Sequence, residues 1–281
     1  MRDASATYQK MCATARAKLH APWSHQALHG LLAGLYIGLG AMSANLAEAG
    51  GFQLHETQML LGGAVFPIGL IAILLTGTNL FTANCMYVVS PLLNGAVHPA
   101  RALGFLMVSW LANFVGAVGV AYFLAHLGEY FDNEPAKAFV QHNAAVKCSF
   151  AFWVAFLRGV GANTLVCLGS WQALSTDDTL AKIFSMWWPA FTFTAISFEH
   201  CIANMFYVSI GLFEGAEPTW ADFMFHNLVP VTMGNFVGGA LFLGLVAYLT
   251  YDAASPLASM PSRSEAERAE TVEPLTINTH A

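Results

Sequence analysis

The chain has 281 residues and a net charge of −6, and it is 56% hydrophobic but only 10% charged. A soluble domain carries roughly a quarter charged residues, so this composition excludes one, and no basic cluster points to nucleic acid. No Asp, Glu, Lys or Arg occurs between Lys18 and Glu48, Glu56 and Arg101, Arg101 and Glu129, or Asp222 and Asp252, and each window exceeds the about 20 apolar residues that cross a bilayer.

In chain order, residues 1–25 are a polar N-terminal segment with no visible secretory signal, and 26–251 hold the membrane domain. Spans are predicted at 26–48, 57–77, 100–127, 147–174, 182–198 and 227–250. Two stretches do not fit plain spans. The second span runs into the polar, glycine-led stretch Gly77-Thr78-Asn79-Leu80-Phe81-Thr82-Ala83-Asn84, and the fifth is interrupted by Glu199-His200 before apolar sequence resumes. Non-helical backbone at membrane depth survives only when buried in protein or lining a wet cavity, and an ionisable pair there points to function. The tail from 252 to 281, with Pro256, Pro261 and alternating Glu and Arg, is expected to be disordered.

An even number of spans puts both termini on one side. With the N-terminus in the cytoplasm, inside segments carry Arg2, Lys10, Arg16, Lys18, Arg101, Lys182, Arg263 and Arg268 against Lys137 and Lys147 outside. That bias satisfies the positive-inside rule for a multi-pass cell-membrane protein. The five cysteines are scattered and lack metal-site or disulfide-framework spacing, so free thiols are expected.

An internal repeat is also visible. Ala83-Asn84-Cys85-Met86-Tyr87-Val88 matches Ala203-Asn204-Met205-Phe206-Tyr207-Val208 at an offset of 120, and Asn113-Phe114-Val115-Gly116 recurs as Asn235-Phe236-Val237-Gly238 at 122. Ala44-Asn45 and Ala162-Asn163 form a weaker third pair. Near-constant offsets pair spans two with five, three with six and one with four. Three spans per half invert the second half, the plan of many channels and transporters with broken helices near the midplane.

The stretches Gly77-Thr78-Asn79-Leu80-Phe81-Thr82, Arg158-Gly159-Val160-Gly161-Ala162-Asn163-Thr164-Leu165-Val166-Cys167-Leu168, Phe198-Glu199-His200-Cys201-Ile202-Ala203-Asn204-Met205 and Asn227-Leu228-Val229-Pro230-Val231-Thr232-Met233-Gly234-Asn235 together resemble the formate–nitrite transporter family. The resemblance runs from about Lys18 to Tyr251. It implies an all-α integral membrane fold, with six transmembrane helices as two inverted three-helix repeats, an aquaporin-like protomer, spans two and five broken, and a homopentamer in which each protomer holds a pore. It also implies monovalent weak-acid anions as solutes: formate first, and acetate, lactate, nitrite or hydrosulfide besides. By the matching motifs, Thr82 lies in the loop that breaks span two and His200 in the loop that breaks span five. Leu80, Phe81 and Val166 form an inner constriction, and Phe66, Leu70 and Phe193 an outer one. Asn163 and Asn235 supply hydrogen bonds near His200, and Lys147 sits at the outer mouth. Pro67 departs from the pattern within the outer-constriction stretch.

For the residues themselves, a buried neutral imidazole at His200 suits transient proton exchange with a permeating acid, or a purely structural bond to carbonyls. Glu199, next to it, is expected to point away from the pore. Thr82, Asn163 and Asn235 can replace part of a solute's hydration shell or act as helix–helix glue. Arg158, inside a span, either snorkels or faces the pore, and the His25/His29 pair reads as a helix-face coincidence rather than a metal site. The expected activity is proton-linked passage of a weak-acid anion that is neutralised, by water or through His200, before it crosses the constrictions. Partners are then the anion, a proton and membrane lipid, with no cofactor or metal. A neutral-solute pore of the aquaporin or ammonium class is the second reading, although the Asn-Pro-Ala signature is absent. An intramembrane enzyme is not expected, since neither H-E-x-x-H nor G-x-S-x-G occurs.

Overall fold

The computed structural model describes residues 1–50 and 55–252. The expected disordered tail therefore lies, apart from Asp252, outside the described residues. Among them every regular element is helical, the form in which an apolar segment satisfies its own backbone groups. The helices are α1 (Ala4–His20), α2 (Trp23–Glu48), α3 (His55–Thr76), α4 (Phe81–Leu93), α5 (Pro99–His126), α6 (Glu134–Ser149), α7 (Phe152–Leu174), α8 (Thr179–Ala195), α9 (Cys201–Phe213) and α10 (Trp220–Tyr251). Of these, α2, α3, α5, α7 and α10 are long and apolar enough to cross a membrane. The shorter α8 is followed by a break and then by α9.

The largest differences from the sequence expectation have local reasons. The predicted span 147–174 is two elements, because Phe150 and Ala151 are extended and separate α6 from α7. Lys147 therefore belongs to a separate, half-polar helix. The last span starts at Trp220 instead of 227, launched by a capping box in which Thr219 and Asp222 satisfy each other's backbone N–H. Asp222 is a helix-starting charge there, not the edge of the apolar window. The N-terminal segment is itself a helix, capped by the Asp3 carboxylate and burying Tyr8, Met11, Cys12, Ala15 and Leu19 along one face. At Pro67 the missing N–H interrupts α3: Phe66 forms a turn, closed by Gly69 N–H donating to the Phe66 carbonyl at 3.2 Å.

Two helix pairs frame the molecule, α2 along α5 and α7 along α10. Glycine permits both close approaches. A Cβ on Gly34 would collide with the Asn113 carbonyl, and one on Gly234 with the Phe156 carbonyl. Large apolar side chains such as Ile68, Leu103, Phe123, Trp153, Leu157 and Trp188 point outward, a surface suited to lipid.

Candidate functional site

The two breaks are built alike. α3 ends on Gly77 at φ +69° and α8 gives way to Ser197 at φ +56°. Glycine adopts this left-handed conformation freely, whereas a serine there costs about 1–2 kcal/mol that the surrounding packing must offset. Beyond each break a new helix starts, with Leu80 as N-cap of α4 and His200 as N-cap of α9.

One asparagine holds each break. The Asn113 amide donates to the carbonyls of Gly30 (2.7 Å) and Asn79 (3.0 Å), and its oxygen accepts from Phe81 N–H (2.9 Å). The Asn235 amide donates to the carbonyls of Gly159 (2.7 Å) and Glu199 (2.9 Å), and its oxygen accepts from Cys201 N–H (2.8 Å). Asn235 thereby grips the chain on both sides of His200. Asn163 donates to the carbonyls of Thr82 (2.9 Å) and Asn235 (2.6 Å) and so ties the two breaks together. Both predicted asparagines thus act on backbone carbonyls.

Thr82 lies in the first turn of α4 rather than in the loop before it. Its Oγ1 is 3.0 Å from His200 Nε2, so the N-termini of α4 and α9 meet at this contact. Each terminus contributes a partial positive charge and backbone N–H groups. His200 Nδ1 accepts from Ala203 N–H at 3.1 Å. A neutral ring with Nδ1 as acceptor carries its proton on Nε2, so Nε2–H donates to Thr82 Oγ1. That leaves the Thr82 hydroxyl proton free to donate elsewhere.

Two cavities approach this contact. The first, about 220 Å³, is lined by residues including Phe66, Lys147, Phe193, Glu199 and His200. The second, about 200 Å³, is lined by residues including Lys18, Leu70, Leu80, Val166 and Lys182. Their linings share no residue. Ile73, Leu74, Gly77, Thr78, Leu80, Ala83, Asn84 and Tyr87 line the second, and Phe193, Thr194, Ser197, Phe198, His200, Ala203, Asn204 and Tyr207, each 120 residues on, line the first. Thr82, Asn163, Asn235 and Phe81 line neither. In the first cavity Phe66 meets Phe193 edge to face at 5.3 Å, and Phe193 stacks on His200 at 5.7 Å.

Two constriction residues stand elsewhere than expected. Leu70 lies one turn beyond Phe66, about 6 Å further along the helix, and faces the second cavity with Leu80 and Val166. Phe81, whose N–H is held by Asn113, packs its ring into the core.

Glu199 does not turn away from the cavity. One of its oxygens accepts from Lys147 Nζ at 2.9 Å, and the other accepts from the amides of Asn204 (2.6 Å) and Asn227 (3.4 Å). The nearest donors to its buried carboxylate are thus the side chains of Lys147 and Asn204, both on the wall of the first cavity. Lys18 escaped notice in the sequence. Its ammonium donates to the carbonyls of Gly77 and Thr78 and to Asn79 Oδ1, each at 2.9 Å, and burial pushes its pKa down to about 8. Lys18 precedes Lys147 by 129 residues, the same separation as Gly30 and Gly159, whose carbonyls the two bracketing asparagines hold. Arg158 lines the first cavity, with its guanidinium 4.4 Å from the Phe150 ring centroid. The rings of His25 and His29 stack at 3.9 Å, and no cluster of three or more metal-ligating groups occurs among the described residues. All five cysteines are buried free thiols.

Comparison with known proteins agrees with this architecture. A model of the family described as formate/nitrite transporter matches residues 5–249. A probable formate transporter of Methanothermobacter thermautotrophicus is 38% identical over 261 residues, covering 86% of this chain and 94% of that protein. A solved channel described as an FNT family ion channel shares 30% identity, with a TM-score of 0.75 over 87% of this chain and 98% of its own. A solved pentameric formate channel with formate bound shares 26% identity, with a TM-score of 0.71 over 82% of this chain and 97% of its own. The chain is a multi-pass membrane protein and belongs to the formate/nitrite transporter family, a family of transporters and channels rather than enzymes.

Proposed function

We propose that each protomer of a homopentamer passes a small monovalent weak-acid anion, formate first, between the Lys147 cavity outside and the Lys18 cavity inside. The pore would combine six spans as two inverted three-helix repeats, with α3–α4 and α8–α9 as the broken spans and both termini in the cytoplasm. The mirrored asparagine brackets and the paired cavity linings support this arrangement. Formate as solute rests on the relatives described as a formate transporter and a formate channel. Acetate, lactate, nitrite and hydrosulfide are the further candidates.

The single observation that carries the mechanism is the polarity profile along this path. Each cavity has a lysine at its wall, but between the cavities lie aromatic and aliphatic side chains and the uncharged Thr82–His200 pair. Moving a bare carboxylate into such surroundings carries an idealised penalty of about 20 kcal/mol, still several kcal/mol after relaxation. A neutral acid avoids most of it. Low polarity favours the uncharged form of the solute, so the anion gathers a proton in the outer cavity and crosses as the acid. Transport is then proton-linked.

Of the two proton sources, water fits the geometry better than His200. Its Nδ1 is committed to Ala203 N–H, so surrendering the Nε2 proton would leave an imidazolate. His200 instead fixes Thr82, whose hydroxyl is left to donate to the passing solute. The test is proteoliposome flux of the five acids, comparing wild type with His200→Asn. The reading expects reduced formate flux with the pentamer intact. Undiminished, still pH-dependent flux would remove His200 from the mechanism, and passage of water or methylammonium without formate would favour the neutral-solute pore.

A further inference from the structure

The outer cavity holds two cations, and they are not in the same state. Lys147 is engaged at 2.9 Å by Glu199, whose carboxylate is buried. The pair is neutral as a unit, so it presents little net charge to an entering anion. The cavity's other carboxylate, Glu48, also acts electrostatically on Lys147. Arg158 is different. Among the described residues its guanidinium has no hydrogen-bond or ion-pair partner, and it lies over the Phe150 ring, 4.4 Å from the centroid. It is half-buried, in the first turns of α7, and lines the same cavity as His200.

An aromatic ring on one side holds a guanidinium by cation–π attraction while leaving its edge N–H donors open. Those donors match the two oxygens of a planar carboxylate in a way that a lysine ammonium cannot. The backbone is held too: the Arg158 carbonyl accepts from Glu199 N–H at 3.3 Å, next to the His200 break. The side chain therefore projects from a fixed point beside the entrance to the narrow region.

We infer that Arg158, braced on Phe150, is the anion-docking group of the outer cavity, and that it selects planar two-oxygen anions over single-centre ones before the proton is gained. The inference rests on the reading of this cavity as the entrance for weak-acid anions. Lys147 then serves chiefly to hold Glu199 and the wall around the break.

The test is initial-rate uptake of labelled formate into proteoliposomes containing assembled wild-type, Arg158→Gln or Arg158→Lys protein, with hydrosulfide as the single-centre competitor. Loss of a charge-assisted fork predicts that Arg158→Gln raises the formate KM about tenfold, with the saturating rate within about twofold. Arg158→Lys, which keeps the charge but loses the fork, raises the formate KM about threefold and leaves hydrosulfide competition nearly unchanged. Wild-type formate uptake with an unaltered KM in both variants overturns the inference alone. Assembly failure of Arg158→Gln together with a wild-type KM in Arg158→Lys also overturns it, in favour of a structural role. A wild-type protein that carries no formate overturns the reading of the cavity as well.

Discussion

The Lys147–Glu199 pair offers a quantitative test of how the first cavity, the one that His200 lines, is held together. At 2.9 Å, two unit charges attract by about 6 kcal/mol at an effective dielectric of about 20. The Lys147 side chain is 13% exposed and Glu199 1%, so desolvation of both groups takes back a large share of that attraction. A coupling energy of about 2 kcal/mol remains as the expectation. Glu199→Gln strands the ammonium and turns an amide toward the Asn204 amide, which now donates to Glu199 at 2.6 Å. Lys147→Met strands the carboxylate. Each single change should cost about 3 kcal/mol, and the double change markedly less than their sum. Detergent-solubilised protein would be unfolded by titrated denaturing surfactant and followed by tryptophan fluorescence, giving the four corners of a double-mutant cycle. Coupling below about 0.5 kcal/mol, the usual additivity error, would refute the pair as the brace of this wall.

Three further outcomes follow from other parts of the site. Asn235→Ala removes three hydrogen bonds from a fully buried position, leaving Cys201 N–H and the carbonyls of Gly159 and Glu199 without that partner. A loss of about 3 kcal/mol or more is expected, read as a lowered unfolding temperature and reduced recovery of folded protein. Lys18 titrates in the fold at about 8, below its ordinary value of 10.5. Between those values the unfolded chain binds more proton at this group, so its linkage raises stability as pH increases from about 8 to 10.5. Lys18→Met should abolish that rise in the difference between wild-type and variant unfolding curves. Phe66→Ala opens the edge-to-face contact with Phe193 and should raise lactate flux relative to formate several-fold in proteoliposomes.

Much of the fold is legible in the residues because membrane burial imposes simple rules. The uncharged windows mark long helices, and Gly77 and Glu199-His200 mark breaks because neither suits an uninterrupted apolar helix. The matches at Asn84/Asn204 and Asn113/Asn235 lead to the bracketed breaks and the paired linings. What stayed hidden depends on three-dimensional pairing or on signals weaker than composition. α1 is announced by Asp3 and by apolar residues at helical spacing, but its polar neighbours mask the pattern. Adjacency in sequence suggested that Glu199 and His200 face different ways. At a helix break the extended backbone lets both side chains reach one cavity, one as an ion-pair partner and the other as the N-cap. Only the motif resemblance places Leu70 and Phe81 at constrictions. Pro67, visible in the sequence as a departure, interrupts α3 between Phe66 and Leu70 because it lacks an N–H, whereas the Asn113 bracket that sets the start of α4 is a three-dimensional pairing that residue type does not reveal.

The central claim is that the solute crosses the region between the cavities as a neutral acid. Formate flux into proteoliposomes, measured from pH 5 to 8 outside at a fixed formate gradient with internal pH recorded, tests it most directly. The account predicts flux that climbs as external pH falls, with one proton entering for each formate. Flux that is constant across that range, carrying charge and leaving internal pH unmoved, would contradict it and make the protein a plain anion channel.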